Sequence, residues 1–214
     1  MVSMKNSEVL RESVGDLWDN YIRHKFVLDM KEGTLPLDNF KYFMIQDSKY
    51  VNIMLRSLLN ASSKGPLSDV INILNAIFGS RDKGLEAESE ILSKLGIDES
   101  TINNTGYNLI NYAYTRHLFY YSNLGWDYFL AAWTPCMWGY IFVGKIVKDS
   151  PNEIYKTWAS FYASKDYENR VKVILDALNS IKINNTLKEI FKDSVNFEIM
   201  FWDASLRKDP TNIF

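Results

Sequence analysis

A chain of 214 residues with 47% hydrophobic side chains can bury one substantial core. Its formal net charge of −2 excludes the basic footprint that nucleic acid or an anionic membrane surface would require. The single cysteine excludes an intramolecular disulfide and fits a reducing compartment. Met1 to Trp18 mix charged and apolar residues without a signal-like stretch, so a cytoplasmic location is expected.

Helical periodicity runs along nearly the whole chain, and no segment alternates strictly enough to suggest a strand. The first helix is expected from about Ser7 to Lys31, with Leu10, Val14, Leu17, Tyr21 and Met30 near helical spacing and Gly33 as the stop. A second opens after Pro36 and sets Phe40, Phe43, Asp47, Tyr50 and Met54 on one broad face. Ser63, Lys64, Gly65 and Pro66 break the chain before a third helix that carries Val70, Leu74 and Ile77 inward. A polar helix follows from about Gly84 to Leu95.

Asn103, Asn104, Thr105 and Gly106 read as a loop leading into an aromatic helix, Tyr107 to about Asn123. Gly125 separates it from the most apolar segment, Tyr128 to Gly144, which approaches membrane-spanning length. That segment contains Pro135 and directly follows Asp127, so a buried core helix is expected instead. Pro151 opens a helix holding Tyr155, Trp158 and Tyr162, and the last two run from about Asp166 to Ile181 and from Asn185 to Arg207. No linker, repeat or composition shift divides the chain. Residues 1–214 are expected to form a single all-α domain, a helical bundle with a crowded centre.

Much chemistry is ruled out by what is missing. The two histidines, His24 and His117, have no Glu three residues before them, so the Glu-x-x-His pattern of di-iron bundles is absent. There is no Cys cluster for zinc, no glycine-rich phosphate loop and no nucleophile-elbow serine. Neither metal nor nucleotide cofactor is expected.

Six Trp, thirteen Tyr and twelve Phe fit either an aromatic core or a pocket for a flat ligand. Within this background four polar groups stand in strongly apolar surroundings. Cys136 follows Pro135; a lone buried cysteine is usually a small hydrophobe. A proline there is also compatible with the first turn of a new helix, whose free N–H groups favour a thiolate, and Tyr140 lies one turn onward. Asp47 interrupts an aromatic face and either points to solvent or serves as a paired carboxylate at the base of a pocket. Glu198 shares a face with Phe201 and Trp202, where desolvation would raise its pKa and suit it to general acid work. Tyr162 alone reads as a core tyrosine.

Taken in order, these residues resemble the TenA (thiaminase II) family. The similarity begins at His24-Lys25-Phe26-Val27, Gly33-Thr34-Leu35-Pro36, Phe40, Tyr42, Gln46-Asp47 and Tyr50-Val51. It continues through Ala113-Tyr114-Thr115, Pro135-Cys136 with Tyr140, Trp158 with Tyr162, and Glu198 with Phe201-Trp202. The resemblance covers about Leu17 to Arg207 and implies the all-α fold shared with haem oxygenase, commonly as a homotetramer. It also implies hydrolysis in thiamin salvage, with thiamin or the aminomethyl aminopyrimidine as substrate and hydroxymethylpyrimidine as product.

By the same resemblance Cys136 would be the nucleophile and Glu198 the proton donor and acceptor. Asp47 would hold the aminopyrimidine edge, and Tyr50, Tyr114, Tyr140, Tyr162 and Phe201 would line the site. Sulfur suits the task because the group that adds to the ring must also leave it. The helix around Glu86-Ala87-Glu88-Ser89-Glu90 departs from the family, many members of which carry a His near Glu88; this position is expected outside the reaction centre. Two rival readings are a non-enzymatic pyrimidine-binding or regulatory protein, and a haem protein using His24.

Overall fold

The computed structural model describes residues 4–79 and 81–214, the side chains of residues 81–85 excepted. Where periodicity predicts one helix from Ser7 to Lys31, the chain forms three: α1 (Asn6–Ser13), α2 (Asp16–Ile22) and α3 (Lys25–Glu32). Gly15 makes the first break at φ +53°, a left-handed conformation that side chains disfavour. His24 makes the second by capping α3, its Nδ1 accepting the Phe26 N–H at 3.1 Å. The apolar rhythm runs through both breaks because Leu10, Trp18, Tyr21, Phe26 and Met30 still face one core.

The helices α4 (Leu37–Ser62), α5 (Leu67–Gly79) and α6 (Arg81–Lys94) follow in the predicted order. A short α7 (Glu99–Asn104) takes up part of the expected loop at Asn103–Gly106. The Asp98 carboxylate caps it, accepting the Thr101 N–H at 2.7 Å. Asn108, Asn152, Ser164 and Asn184 cap α8 (Leu109–Leu124), α10 (Glu153–Tyr162), α11 (Lys165–Ser180) and α12 (Asn185–Arg207) in the same way. Among the described residues no strand forms; Tyr107 and Ile213 make an isolated bridge.

The centre of the bundle is α9 (Trp126–Val147), which touches α2, α3, α4, α8, α10, α11 and α12. By length and composition it could cross a membrane, but 83% of its apolar window is buried inside the protein. A helix hydrophobic all round is stable in water only when neighbours cover every face. One continuous apolar core results, running from Leu10 to Trp202.

Pro135 does not open a new helix; it lies inside α9. It supplies no N–H to the helix ladder. Hydroxyls from three neighbouring helices bond to carbonyls around it: Ser194 Oγ to Ala132 O at 2.7 Å, Tyr21 Oη to Pro135 O at 3.0 Å, and Tyr167 Oη to Met137 O at 2.8 Å. Tyr21 can approach because residue 139 is glycine; any Cβ there would overlap the tyrosine ring. The disturbed stretch is thereby tied to α2, α11 and α12. It also carries the cysteine.

Candidate active site

A cavity of about 310 Å³ opens between α4, α5, α6, α8, α9, α10, α11 and α12. Cys136, Glu198, Asp47, Tyr50, Tyr114, Tyr140, Tyr162 and Phe201, singled out above, all line it. Long helices bring them together from distant parts of the chain, one or two residues from each. Cys136 and Tyr140 are one turn apart on α9, as are Asp47 and Tyr50 on α4 and Glu198 and Phe201 on α12.

The Cys136 thiol is buried and donates to the Trp133 carbonyl at 3.1 Å. Burial raises its pKa well above the ordinary thiol value, and the neighbouring Glu198 carboxyl raises it further. The resting group is therefore a thiol. This corrects the expectation of a thiolate favoured by a helix N-terminus, because Pro135 lies in mid-helix and burial with the nearby acid outweighs the backbone N–H of Met137.

Glu198 Oε1 accepts from Tyr114 Oη at 2.8 Å. Burial pushes its pKa up to about 8, against the opposing effects of hydrogen bonds from Tyr114 and Tyr21. Asp47 is also pushed up to about 8, first by burial and then by the charge of Glu88. Asp47 keeps some accessible surface while sitting at the cavity wall, so its remaining access is consistent with a carboxyl facing the cavity. Acids so shifted are mostly protonated near neutrality and can give a proton to a basic heterocycle.

The walls are aromatic. Tyr50 and Tyr114 pack with ring centroids 4.8 Å apart, Tyr140 and Tyr162 at 5.0 Å, and Tyr50 meets Phe201 edge-on at 6.1 Å. The Tyr50 hydroxyl is buried without a hydrogen bond, although it faces Cys136 and Tyr114. An unsatisfied buried hydroxyl on a cavity wall suits a ligand that completes it. Behind Glu198, His117 Nε2 meets Ser194 Oγ at 2.8 Å, and burial lowers the imidazole pKa to about 4. Ser194 spends its proton on Ala132 O, so His117 must be the neutral tautomer that donates from Nε2.

Two expectations change. Glu88 lies in the cavity wall, contrary to its expected place outside the reaction centre; Ser48 Oγ donates to its Oε1 at 3.0 Å. His24 does not serve as a free axial ligand: its Nδ1 caps α3 and its Nε2 pairs with Asp203 at 3.0 Å, away from the cavity. Sequence reasoning also passed over Tyr21, whose hydroxyl supports Glu198, and Tyr167 in the cavity wall. Both look like core tyrosines in their own helices, and no local pattern marks them.

The fold and cavity define an all-helical protein with a buried acid–thiol site. The TENA/THI-4/PQQC family model matches residues 11–208, and the chain belongs to that family. An aminopyrimidine aminohydrolase from Bacillus subtilis is 29% identical, the alignment covering 96% of this chain and 92% of that protein. One from Helicobacter pylori is 24% identical over 94% of this chain and 99% of its own length. A crystal structure from Sulfolobus solfataricus, named for its likeness to TenA thiaminases, superposes with a TM-score of 0.95. It is 59% identical and is matched over 98% of this chain and 99% of that one.

Proposed function

We propose that the protein is a hydrolase of thiamin salvage. It would replace the substituent on the methylene of an aminopyrimidine, either an amine or the thiazolium of thiamin, to leave hydroxymethylpyrimidine. The observation that carries this reading is the convergence of Cys136, Asp47 and Glu198 on one aromatic-walled cavity. The aminopyrimidine aminohydrolases among its relatives support it.

In this reading Asp47 hydrogen-bonds the amino edge of the ring while Tyr50 and Phe201 pack against it. Tyr114, Tyr140 and Tyr162 complete the wall. Glu198 hands its proton to a ring nitrogen, and its carboxylate then takes the proton of the Cys136 thiol. The sulfur adds to the activated ring, the electron-rich adduct expels the substituent, water adds to the exposed methylene, and the sulfur departs. Tyr114 holds Glu198 in place for both transfers. Water exclusion matters, because the intermediate must meet one water rather than bulk solvent.

The same reading includes a cytoplasmic homotetramer that needs no cofactor, consistent with the lone unbridged cysteine and with large apolar side chains left exposed at Leu59, Leu67 and Phe119. Light scattering on the purified protein tests the assembly. The activity is tested by supplying the aminomethyl pyrimidine and thiamin separately and measuring ammonia, thiazole and hydroxymethylpyrimidine. Release of the alcohol from at least one substrate is expected; failure with both removes the proposal.

A further inference from the structure

The roles above leave a third carboxyl of the cavity unused. Glu88 projects from α6, half-buried, with the Ser48 hydroxyl as its hydrogen-bond donor at 3.0 Å. Its charge acts on Asp47 and Tyr162, whereas the acids acting on Cys136 are Glu198 first and then Asp47. Ser48, the donor to Glu88, directly follows Asp47 on α4, so Glu88 comes next in order along the wall from Asp47. Glu88 also lines a shallow groove between α6 and α7 with Ser89 and Asp98, so it stands where the cavity wall meets the outer surface. Arg170, the basic residue among the described lining residues, lies over the rings of Phe161 and Tyr167. Its charge is felt at Tyr162 and Tyr167.

The chemistry of the ring gives this order a meaning. On the aminopyrimidine, the reacting methylene is attached to the carbon next to the one bearing the amino group. A ring whose amino edge is held by Asp47 therefore places the methylene substituent beside Asp47, and Glu88, bonded by the adjacent Ser48, is the carboxyl at hand on that wall. A carboxyl there meets the group that leaves.

Resting on the hydrolase reading of this site, we propose that Glu88 holds the leaving group: it pairs with the amine of an aminomethyl pyrimidine and keeps that nitrogen protonated until the C–N bond breaks. An ammonium arriving at the carboxylate forms the pair directly, and a neutral amine arriving at the carboxylic acid takes its proton and forms the same pair. Addition of the Cys136 sulfur supplies an electron pair to the ring. The C–N bond then breaks with its own pair on nitrogen, which already bears three protons and departs as neutral ammonia. Without a counter-ion, a buried ammonium loses its proton, and an unprotonated amine is a very poor leaving group. The thiazolium nitrogen of thiamin is quaternary and leaves as neutral thiazole, with no proton to be held. Glu88 therefore favours primary-amine leaving groups.

Glu88→Gln tests this while keeping the side-chain shape and an acceptor for Ser48. Its kcat on the aminomethyl pyrimidine should fall by about tenfold or more, while kcat on thiamin changes by less than about threefold. Binding gives a second readout, measured by calorimetry on protein that also carries Cys136→Ser. Adding Glu88→Gln should weaken the aminomethyl pyrimidine by about tenfold and leave the uncharged hydroxymethyl compound unchanged. Equal losses on both substrates, or equal weakening of amine and alcohol, would overturn the role of Glu88 and leave the hydrolase reading standing. Wild-type protein inert toward both substrates would overturn that reading, and this assignment with it.

Discussion

The two sides of the cavity present acids to the same space but are built differently. On the α9–α12 side the polar groups around the acid are braced: Glu198 by Tyr114 at 2.8 Å, Ser194 by Ala132 O at 2.7 Å, and the Pro135 carbonyl by Tyr21 at 3.0 Å. Asp47 borrows similar rigidity from its neighbour Gln46, whose amide bonds Gly106 O at 2.9 Å and whose Oε1 accepts from Asn108 N at 3.1 Å and Asn111 Nδ2 at 2.9 Å. On the α6 side Glu88 rests on Ser48, and its helix turns Glu86, Ser89 and Glu90 to solvent. Groups that must meet a reacting atom need fixed positions, because a loosely held general acid spends its time in the wrong place. A group that senses a variable substituent does not need the same bracing. The difference suggests a rigid deep end for the common ring and a simpler outer wall for what is attached to it.

The largest expected effect falls at the deep end. Cys136→Ser should reduce turnover of both substrates by at least about a hundredfold, since the alkoxide is hard to form and a poor leaving group. Single-turnover product analysis checks it, and residual activity near wild type would remove the sulfur from the mechanism. Glu198→Gln should lower kcat by between about 10² and 10⁴, again on both substrates, because the amide cannot give or take the proton. A loss confined to one substrate would erase the contrast with Glu88, whose replacement is expected to split the two.

A smaller effect appears in stability against pH. The carboxyls of Asp47 and Glu198 are raised to about 8 in the folded protein, well above their unfolded values. Between those limits the folded state binds more protons than the unfolded state. Stability from these groups is thus fully present below about pH 4 and is lost as pH rises through about 8. Thermal melts should show wild type losing more stability than Asp47→Asn between about pH 5 and pH 8. Parallel curves for the two proteins would mean that Asp47 is not held protonated.

The smallest is expected behind the wall. Tyr21→Phe removes the hydroxyl bonded to the Pro135 carbonyl and supporting Glu198. Unfolding free energy should drop by about 1 kcal/mol, measured by denaturant titration. The alkaline limb of the kcat profile should also move upward, because Glu198 acts from its protonated form and its carboxylate has lost a neighbouring hydroxyl. A stability loss with an unmoved profile would confine Tyr21 to packing.

The helices, their order and the burial of α9 were legible in the chain because periodicity, caps and composition are local properties. So were Cys136, Asp47 and Glu198, each conspicuous as a polar group in an apolar stretch. Breaks at Gly15 and His24 were not, since an apolar stripe continues across a kink whenever both pieces face the same core. Only the tertiary structure showed that Pro135 stays inside a helix, in a stretch that hydroxyls from Tyr21 and Ser194 tie to α2 and α12. It likewise decided that Cys136 rests as a thiol, because burial and a nearby acid are products of the assembled core. Glu88 makes the same point: its helix reads as a solvated surface, and its place in the cavity depends on how α6 packs on α5 and α10 and meets Ser48 of α4. A sequence specifies which groups are costly to bury; which of them share one space is settled when distant helices pack.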